Sequence, residues 1–283
     1  MNPIRKTPPT TAQVTTRQIR SAKRPSSLVL YAGLLFLVSA CSTEQETVRI
    51  QFSAVWQGAA IGCNDVEISL SDLRFFVSDL ALVDRSGELH PISLVKDSRW
   101  QQPNIGLVDL EDGQGSCLNG TRDIHSTLTG MTDPADFVEL RFTVGVPFAL
   151  NHANPLLASA PLDDAAMHWH WRSGYKFLRA GVSAGDDGMW IHLGSTGCEG
   201  TVQDIRSCQS PNRVSVSLPG FSPSDRIGVD LSVLFAGVDL ADGERSDCSS
   251  GPAESACAPM FEALGLPFSD QAASDSSVFR VLR

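Results

Sequence analysis

The sequence predicts an all-β protein, an antiparallel β-sandwich stabilised by disulfides. Short runs with alternating apolar and polar residues recur along the chain, and Gly, Pro, Asn and Asp separate them. No window carries the long apolar stripe of an amphipathic helix. Six cysteines follow the N-terminal leader, which is typical of an exported, disulfide-bonded domain.

The predicted strands begin close to the leader and continue to the last third of the chain. They cover residues 48–54, 73–83, 137–144, 175–182, 190–193, 213–218 and 227–234. Short helices are predicted near 155–160 and at 258–264, where Met260, Phe261 and Leu264 share a face. No Pro-, Gly- or Ser-rich linker divides residues 41–283, so we expect a single domain, with a tether at 41–46 and a polar, flexible tail at 269–283.

Residues 1–40 have the three parts of a secretory signal peptide: a basic leader, an apolar stretch at 28–38 and a small-residue exit. The exit runs Val38-Ser39-Ala40-Cys41, the arrangement at which bacterial lipoproteins are cleaved and lipidated. We therefore expect Cys41 to be the lipidated N-terminus of a protein held at the outer membrane, on its periplasmic face or at the cell surface. An ordinary signal peptide with an incidental cysteine is the alternative.

The charge balance excludes nucleic acid as a partner. The 22 basic and 32 acidic residues give a net charge of -10, and six of the basic residues lie in the leader. The rest of the chain therefore carries -16, which repels phosphate. We expect membrane contact through the N-terminal lipid only.

Beyond Cys41, six cysteines can form three disulfides in fifteen formal pairings. They are Cys63, Cys117, Cys198, Cys208, Cys248 and Cys257. Proximity in sequence favours Cys198 with Cys208 and Cys248 with Cys257, which leaves Cys63 and Cys117. The spacings do not suit a structural zinc site.

The usual catalytic motifs are absent from the sequence. It has no Gly-x-Ser-x-Gly elbow, no phosphate-binding Gly loop and no dinucleotide fingerprint. The pairs at 163–164 and 186–187 are typical of solvated turns, and Asp72 and Asp79 flank an apolar strand, where capping explains them. We therefore expect that the protein is not an enzyme.

Residues 167–177 hold the densest group of metal-binding and aromatic side chains. On an extended chain His168 and His170 share one face, while Trp169 and Trp171 share the other. A hairpin through 184–188 would bring Trp190 and His192 back towards this segment. Imidazoles on rigid strands can bind copper; buried tryptophans with hydrogen-bonded histidines are the metal-free alternative.

The remaining histidines differ in their surroundings. His152 follows a strand in a Pro- and Asn-rich segment, where it is better placed to line a loop site than a core. His90 and His125 lack such neighbours and are expected to be surface histidines.

Several short motifs together resemble the MbnP-like family, the small partner of the metallo-mystery pair, related to copper-binding surface proteins. The resemblance spans roughly residues 48–268. Its motifs are LRFFVSD at 73–79, LVD at 82–84, FTVGVPF at 142–148, Asn151-His152, MxWxWxxGYKF at 167–177, HLGSTGC at 192–198, Cys208 with PNR at 211–213, and Cys248 and Cys257 before Gly265-Leu266.

The resemblance implies a periplasmic or surface β-sandwich that binds copper, as Cu(I), and acts in copper uptake or handling. It also implies a dihaem c-type cytochrome peroxidase-like (MbnH-like) partner that oxidises a tryptophan to kynurenine. By position the copper ligands are His152 and His192. His168 and His170 lie outside the family motif; they could add ligands or simply lie on the surface of a strand. The candidate tryptophans are Trp169, Trp171 and Trp190, while Leu150 stands where some relatives have the tryptophan before the first histidine.

Two other functions compete with this interpretation. A metal-free structural or recognition module at the cell surface would use the aromatic patch as core or as a ligand platform. A self-contained copper oxidoreductase is disfavoured because the sequence offers no further catalytic groups.

Overall fold

The computed structural model describes residues 44–202, 204–238, 240, 247–251, 254–269 and 272–283. These residues belong to one unit, Ser42–Arg283. The predicted signal peptide at 1–40, the predicted lipidation site Cys41 and the start of the predicted tether lie outside the described residues. No helix among the described residues is long and apolar enough to cross a membrane.

Strands dominate the described chain. They are β1 (Glu46–Trp56), β2 (Ala59–Ala60), β3 (Ser69–Asp84), β4 (Leu89–Pro91), β5 (Ser93–Leu94), β6 (Gln101–Gln102), β7 (Ile105–Asp109), β8 (Thr127–Thr132), β9 (Phe137–Val144), β10 (His168–His170), β11 (Gly174–Ala184), β12 (Asp187–Gly194), β13 (Thr196–Thr201), β14 (Asp204–Ser210), β15 (Val214–Pro219), β16 (Arg226–Asp230) and β17 (Phe279–Leu282). The helices are α1 (Phe148–Asn151), α2 (Leu231–Leu234) and α3 (Ala258–Ala263), with 3₁₀ turns at Pro155–Leu157 and Ser255–Cys257.

The described strands form two main sheets and a separate hairpin. The first sheet has the order β17-β16-β1-β8-β5, with β2 added to β1; the second has the order β10-β11-β3-β7-β6, with β12 on β11, β4 and β9 on β3, and β15 on β9. The hairpin consists of β13 and β14. Among these strand pairings only β1 with β16 is parallel, so the predicted antiparallel architecture is confirmed with one exception.

A shared apolar core joins the two main sheets. Phe52 of β1 meets Phe75 of β3 and Phe142 of β9 edge to face, with ring centroids 5.3 and 5.8 Å apart. Phe279 of β17 meets Phe142 at 5.5 Å. Such edge-to-face pairs add to the free energy gained from burying the rings. Since these rings come from both sheets, the molecule is a β-sandwich, as predicted.

Three local predictions require correction. The strand predicted at 227–234 ends at Asp230, because its carboxylate accepts the backbone N–H of Ser232 and caps α2. The helix predicted near 155–160 is only the 3₁₀ turn Pro155–Leu157. Within the tail predicted to be flexible, β17 pairs with β16 from Phe279 to Leu282.

The three disulfides follow the pairing that sequence proximity favours. Cys63 is bonded to Cys117, Cys198 to Cys208 and Cys248 to Cys257. The first links the segment after β2 to the loop after β7. The second crosses the β13–β14 hairpin at directly paired positions.

Candidate metal centre

The predicted hairpin at 184–188 exists and carries His192 on its second strand. Met189, Ile191 and Leu193 of β12 are buried in the core, whereas Trp190 and His192 are partly buried. Because side chains alternate along a strand, these two lie on the face turned away from the core. The neighbour of His192 on β11 is Arg179.

Trp169 of β10 lies over Gly194 of β12, two residues beyond His192. A Cβ atom built on Gly194 would stand 2.9 Å from Trp169 Cε3, so the indole occupies the space above this glycine. Gly194 is two residues from His192 and therefore presents the same face, about 7 Å along the strand. Trp169 thus covers the β12 position two residues beyond His192, on the same face of the strand.

The other two candidate tryptophans have different surroundings. Trp190 lies over Gly181 and Gly188, so its ring extends towards the β11–β12 turn and away from His192. It also lines a cavity of about 560 Å³ with Asp186 and Asp187. Trp171 lies beyond β10, with the Arg172 guanidinium 4.9 Å from its ring centre.

Within residues 167–171, where an extended chain would place both histidines on one face, the strand β10 covers His168–His170. His168 is partly buried and meets Tyr175 edge to face at 5.5 Å. His170 is exposed, and its Nδ1 atom accepts the backbone N–H of Arg172 at 3.3 Å. These two histidines therefore decorate an edge strand beside β11.

Asn151 connects the beginning of β11 to the turn that carries His152. Its side-chain oxygen accepts the backbone N–H of Tyr175 at 2.8 Å, and its amide nitrogen donates to the Ser173 carbonyl at 2.9 Å. Gly174 has a φ of +80° and a Cβ there would lie 2.3 Å from the Asn151 carbonyl oxygen, so only glycine fits. The Asn151-His152 motif thus has a structural cause: the asparagine positions the histidine.

The His152 imidazole faces the disulfide of the β13–β14 hairpin. Its Nε2 atom lies 3.4 Å from Cys208 Sγ and 3.1 Å from the Asn151 amide nitrogen. Its Nδ1 atom is buried and has no hydrogen-bond partner among the described residues. Burial lowers the pKa of His152, which favours the neutral imidazole that binds metals.

His192 is also held neutral, by burial and by neighbouring cations. Desolvation is the larger cause, and the positive charges of Arg179 and Lys176 add to it, so the pKa of His192 falls to about 4. The Lys176 ammonium and the Arg179 guanidinium both donate to the Ala166 carbonyl at 3.1 Å. The Ala166 carbonyl, which precedes β10, is therefore hydrogen-bonded to both cations beside His192.

A buried ionic network continues from Arg179 across β3 to β7. Asp72 pairs with both Arg179 and Arg74, and the Arg74 Nη1 atom lies 3.7 Å from a Glu111 oxygen. Asp109 is buried beside this network, and desolvation, followed by the negative charge of Glu111, raises its pKa to about 8. Asp72 is thus a buried ion-pair partner and not the capping residue that the sequence suggests.

Residues 194–198, which we call the junction, separate the surroundings of His192 from those of His152. His192 precedes it on β12, and His152 contacts the disulfide at its end. The described residues contain no hydrogen bond between the two imidazoles. The sequence analysis did not predict that Cys208 lies beside His152 or that cations lie beside His192. Arg179 could have been noticed, because it is a charged residue within an apolar strand.

The two histidines predicted to lie on the surface are partly buried. His90 Nε2 lies 3.2 Å from an Asp84 oxygen. His125 stacks flat on Trp100 with ring centres 5.2 Å apart, and its Nε2 atom has no hydrogen-bond partner in the described chain. Each has its own local contacts, and none of these involves His152 or His192.

Comparisons with protein families and with solved structures each find a match for this chain. A family model described as MbnP matches residues 45–250, which include His152, His192 and the three candidate tryptophans. The solved structure of MbnP from Methylosinus trichosporium superposes with a TM-score of 0.74 at 26% identity, over 84% of this chain and 98% of that chain. No protein with a curated description matches.

Substitution of Gly194 by alanine should displace Trp169. The new methyl group would stand 2.7 Å from the Tyr175 carbonyl and 2.9 Å from the indole, and such overpacking costs about 1–3 kcal/mol. Near-ultraviolet circular dichroism and urea unfolding will measure both effects. The matched control is Gly62→Ala, where no atom lies within 4 Å of the added methyl group; equal behaviour of the two variants would refute the close approach.

The buried Asp109 should make stability depend on pH. Its folded pKa of about 8 lies above its ordinary 3.8, so the folded chain keeps a proton that the unfolded chain releases. The free energy of unfolding of the wild type should therefore decrease as pH rises from about 4 to about 8, and this decrease should end above pH 8. Asp109→Asn lacks this titrating group, so in urea unfolding its free energy of unfolding relative to that of wild type should increase across this pH range. The exposed control Asp186→Asn should show the same pH dependence as wild type.

Proposed function

The chain belongs to the MbnP family, and from this premise we propose that it is an exported copper-binding lipoprotein. In this proposal His152 and His192 bind Cu(I), the lipid on Cys41 holds the protein at the outer membrane, and the protein serves copper uptake or handling. We propose no catalytic activity of its own; it is the substrate of a partner enzyme.

The observation that carries the copper proposal is the buried Nδ1 atom of His152. A buried ring nitrogen without a hydrogen-bond partner is uncommon, because its desolvation is then uncompensated. A metal ion would satisfy it. Imidazole suits copper among other transition metals, and both candidate histidines are biased towards the neutral form that metals require.

The charges beside His192 favour Cu(I) over Cu(II). Arg179 and Lys176 oppose a further positive charge at this position, as the lowered pKa of His192 indicates. The repulsion grows in proportion to the charge of the ion, so it opposes the divalent ion twice as strongly. Asp72 offsets part of this repulsion, because it pairs with Arg179.

Trp169 is the tryptophan that we propose as the oxidation target of the dihaem c-type, MbnH-like partner. Its indole covers Gly194, two residues beyond His192 on β12, whereas the Trp190 ring extends away and Trp171 lies beyond the strand. A kynurenine at position 169 would present a ketone and an amine beside the copper site. The formal charge of -16 on the chain after the leader would favour docking of a basic partner surface.

A metal-free recognition module remains the second candidate, and the cavity beside Trp190 is the observation that favours it. Its lining is polar and includes Asp186, Asp187 and Asn119. In that case the histidines would have no role in metal binding, so their removal separates the two functions.

Copper content will test the ligand assignment. The protein from residue 42 onwards, produced in the periplasm, should carry about one copper per chain, and His152→Ala and His192→Ala should each lower affinity by about tenfold or more. The matched control is His125→Ala, since His125 also has a buried ring nitrogen without a partner but stacks on Trp100. Unchanged copper in both ligand variants, with folding verified by circular dichroism, would reject the assignment.

Intact mass will test the tryptophan. Coexpression with the dihaem partner should add about 4 Da, because kynurenine formation removes one carbon and adds one oxygen. The gain should vanish in Trp169→Phe and persist in Trp190→Phe and Trp171→Phe. A gain that persists in Trp169→Phe would move the modification to another residue, and no gain in wild type would remove it from the proposal.

A further inference from the structure

Of the three disulfides in the described chain, Cys198–Cys208 is the one that contacts an imidazole. His152 Nε2 lies 3.4 Å from Cys208 Sγ, and a ring nitrogen of His152 and both sulfur atoms lie within 4.8 Å of one another. The other two disulfides are buried at both cysteines, whereas Cys208 is partly exposed. It is therefore the disulfide best placed to meet a reductant.

The position of this disulfide in the fold would allow it to open without loss of the sandwich. It crosses β13 and β14, which form their own two-stranded sheet. The base of the hairpin is held separately, because Asn212 donates to the Gly194 carbonyl at 2.8 Å and Ser195 donates to the Pro211 carbonyl at 3.1 Å. The Cys63–Cys117 and Cys248–Cys257 bonds brace other parts of the chain.

We propose that Cys198, Cys208 and His152 form a redox-gated Cu(I) site. A dithiol reductant supplies two electrons and two protons, the S–S bond breaks, two thiols form and the reductant becomes a disulfide. One Cu(I) ion then binds to the two sulfur atoms and His152 Nε2, and the thiol protons leave to solvent. A disulfide oxidant reverses the step: it takes up two electrons from the two thiolates and two protons from solvent and becomes a dithiol, while the Cys198–Cys208 bond re-forms. Two of the three ligands are then lost and the ion leaves this site.

The chemistry of the donors supports copper in this role. Thiolates are soft ligands and select Cu(I), whereas a disulfide sulfur is a poor ligand. The opened sulfurs remain on paired positions of one hairpin, so little chain entropy is lost when they bind one ion. Asn151 positions the turn that carries His152, and Cu(I) would replace the Asn151 amide N–H as the partner of His152 Nε2.

This inference rests on the proposed function at one point, the use of His152 as a copper ligand. In the oxidised protein His152 serves with His192; in the reduced protein it serves with the two cysteines. The redox state of one hairpin would therefore decide whether copper is held weakly by imidazoles or tightly by thiolates.

Anaerobic Cu(I) titration against a chromophoric chelator tests the site in the protein from residue 42 onwards. After treatment with a phosphine reductant and its removal, wild type should bind Cu(I) about tenfold or more tightly than the oxidised form, because thiolates replace disulfide sulfur. Alkylation and peptide mass analysis will identify which cysteines were reduced. The double variant Cys198→Ser/Cys208→Ser and His152→Ala should each lose most of the gain.

His192→Ala separates this inference from the proposed function. It should lose copper in the oxidised state and keep the gain on reduction. If the oxidised wild type binds no copper while the reduced protein does, the proposed function fails and the inference stands. If reduction produces no gain, or if His152→Ala keeps all of it, the inference is overturned.

Cys198→Ser provides a test without any reductant. It frees the Cys208 thiol beside His152, so the monomeric variant should bind Cu(I) more tightly than oxidised wild type and should lose this gain when His152→Ala is added. Cu(I) affinity equal to that of oxidised wild type would overturn the site even if chemical reduction unfolded the protein.

Discussion

The outer face of the second sheet depends on the ion pairs that the buried Asp72 carboxylate makes. This carboxylate compensates two guanidinium groups, those of Arg74 on its own strand and Arg179 on β11. Without it, two buried cations would face each other across β3 and β11, and loss of one partner from such a group costs about 3–5 kcal/mol. Because Arg179 borders His192, the same carboxylate also sets how much positive charge the candidate copper site experiences.

Most of the fold is predictable because its cause is local. Alternating burial along β1, where Val48, Ile50 and Phe52 are buried between more exposed residues, is a direct consequence of strand geometry. β3 and β7 show no alternation, since ten successive residues from Ser69 to Ser78 and all five of Ile105–Asp109 are buried; both strands are covered on both faces. The strand β17 was missed because its polar approach resembles a flexible tail, whereas its pairing with β16 and the packing of Phe279 on Phe142 both come from distant parts of the chain.

The site is less predictable because its neighbours come from distant parts of the chain. His152 and His192 could be singled out by their motifs, but the contact of His152 with Cys208 spans 56 residues. Likewise, Trp169 could be distinguished from Trp171 and Trp190 only after Gly194 was found beneath it. Sequence patterns identify residues suited to copper chemistry, whereas packing decides which of them are neighbours.

The contact between His152 and Cys208 also explains how one histidine can serve two kinds of site. A disulfide presents no charge and little hydrogen-bonding capacity, so it desolvates the imidazole and favours its neutral form, as the lowered pKa of His152 indicates. The same two sulfur atoms, once reduced, are strong donors for a soft cation. Asn151 keeps the turn that carries His152 in place in either case, since its hydrogen bonds to Tyr175 and Ser173 do not involve the hairpin. The geometry therefore places a fixed nitrogen ligand beside a pair of sulfur atoms whose donor strength depends on their oxidation state.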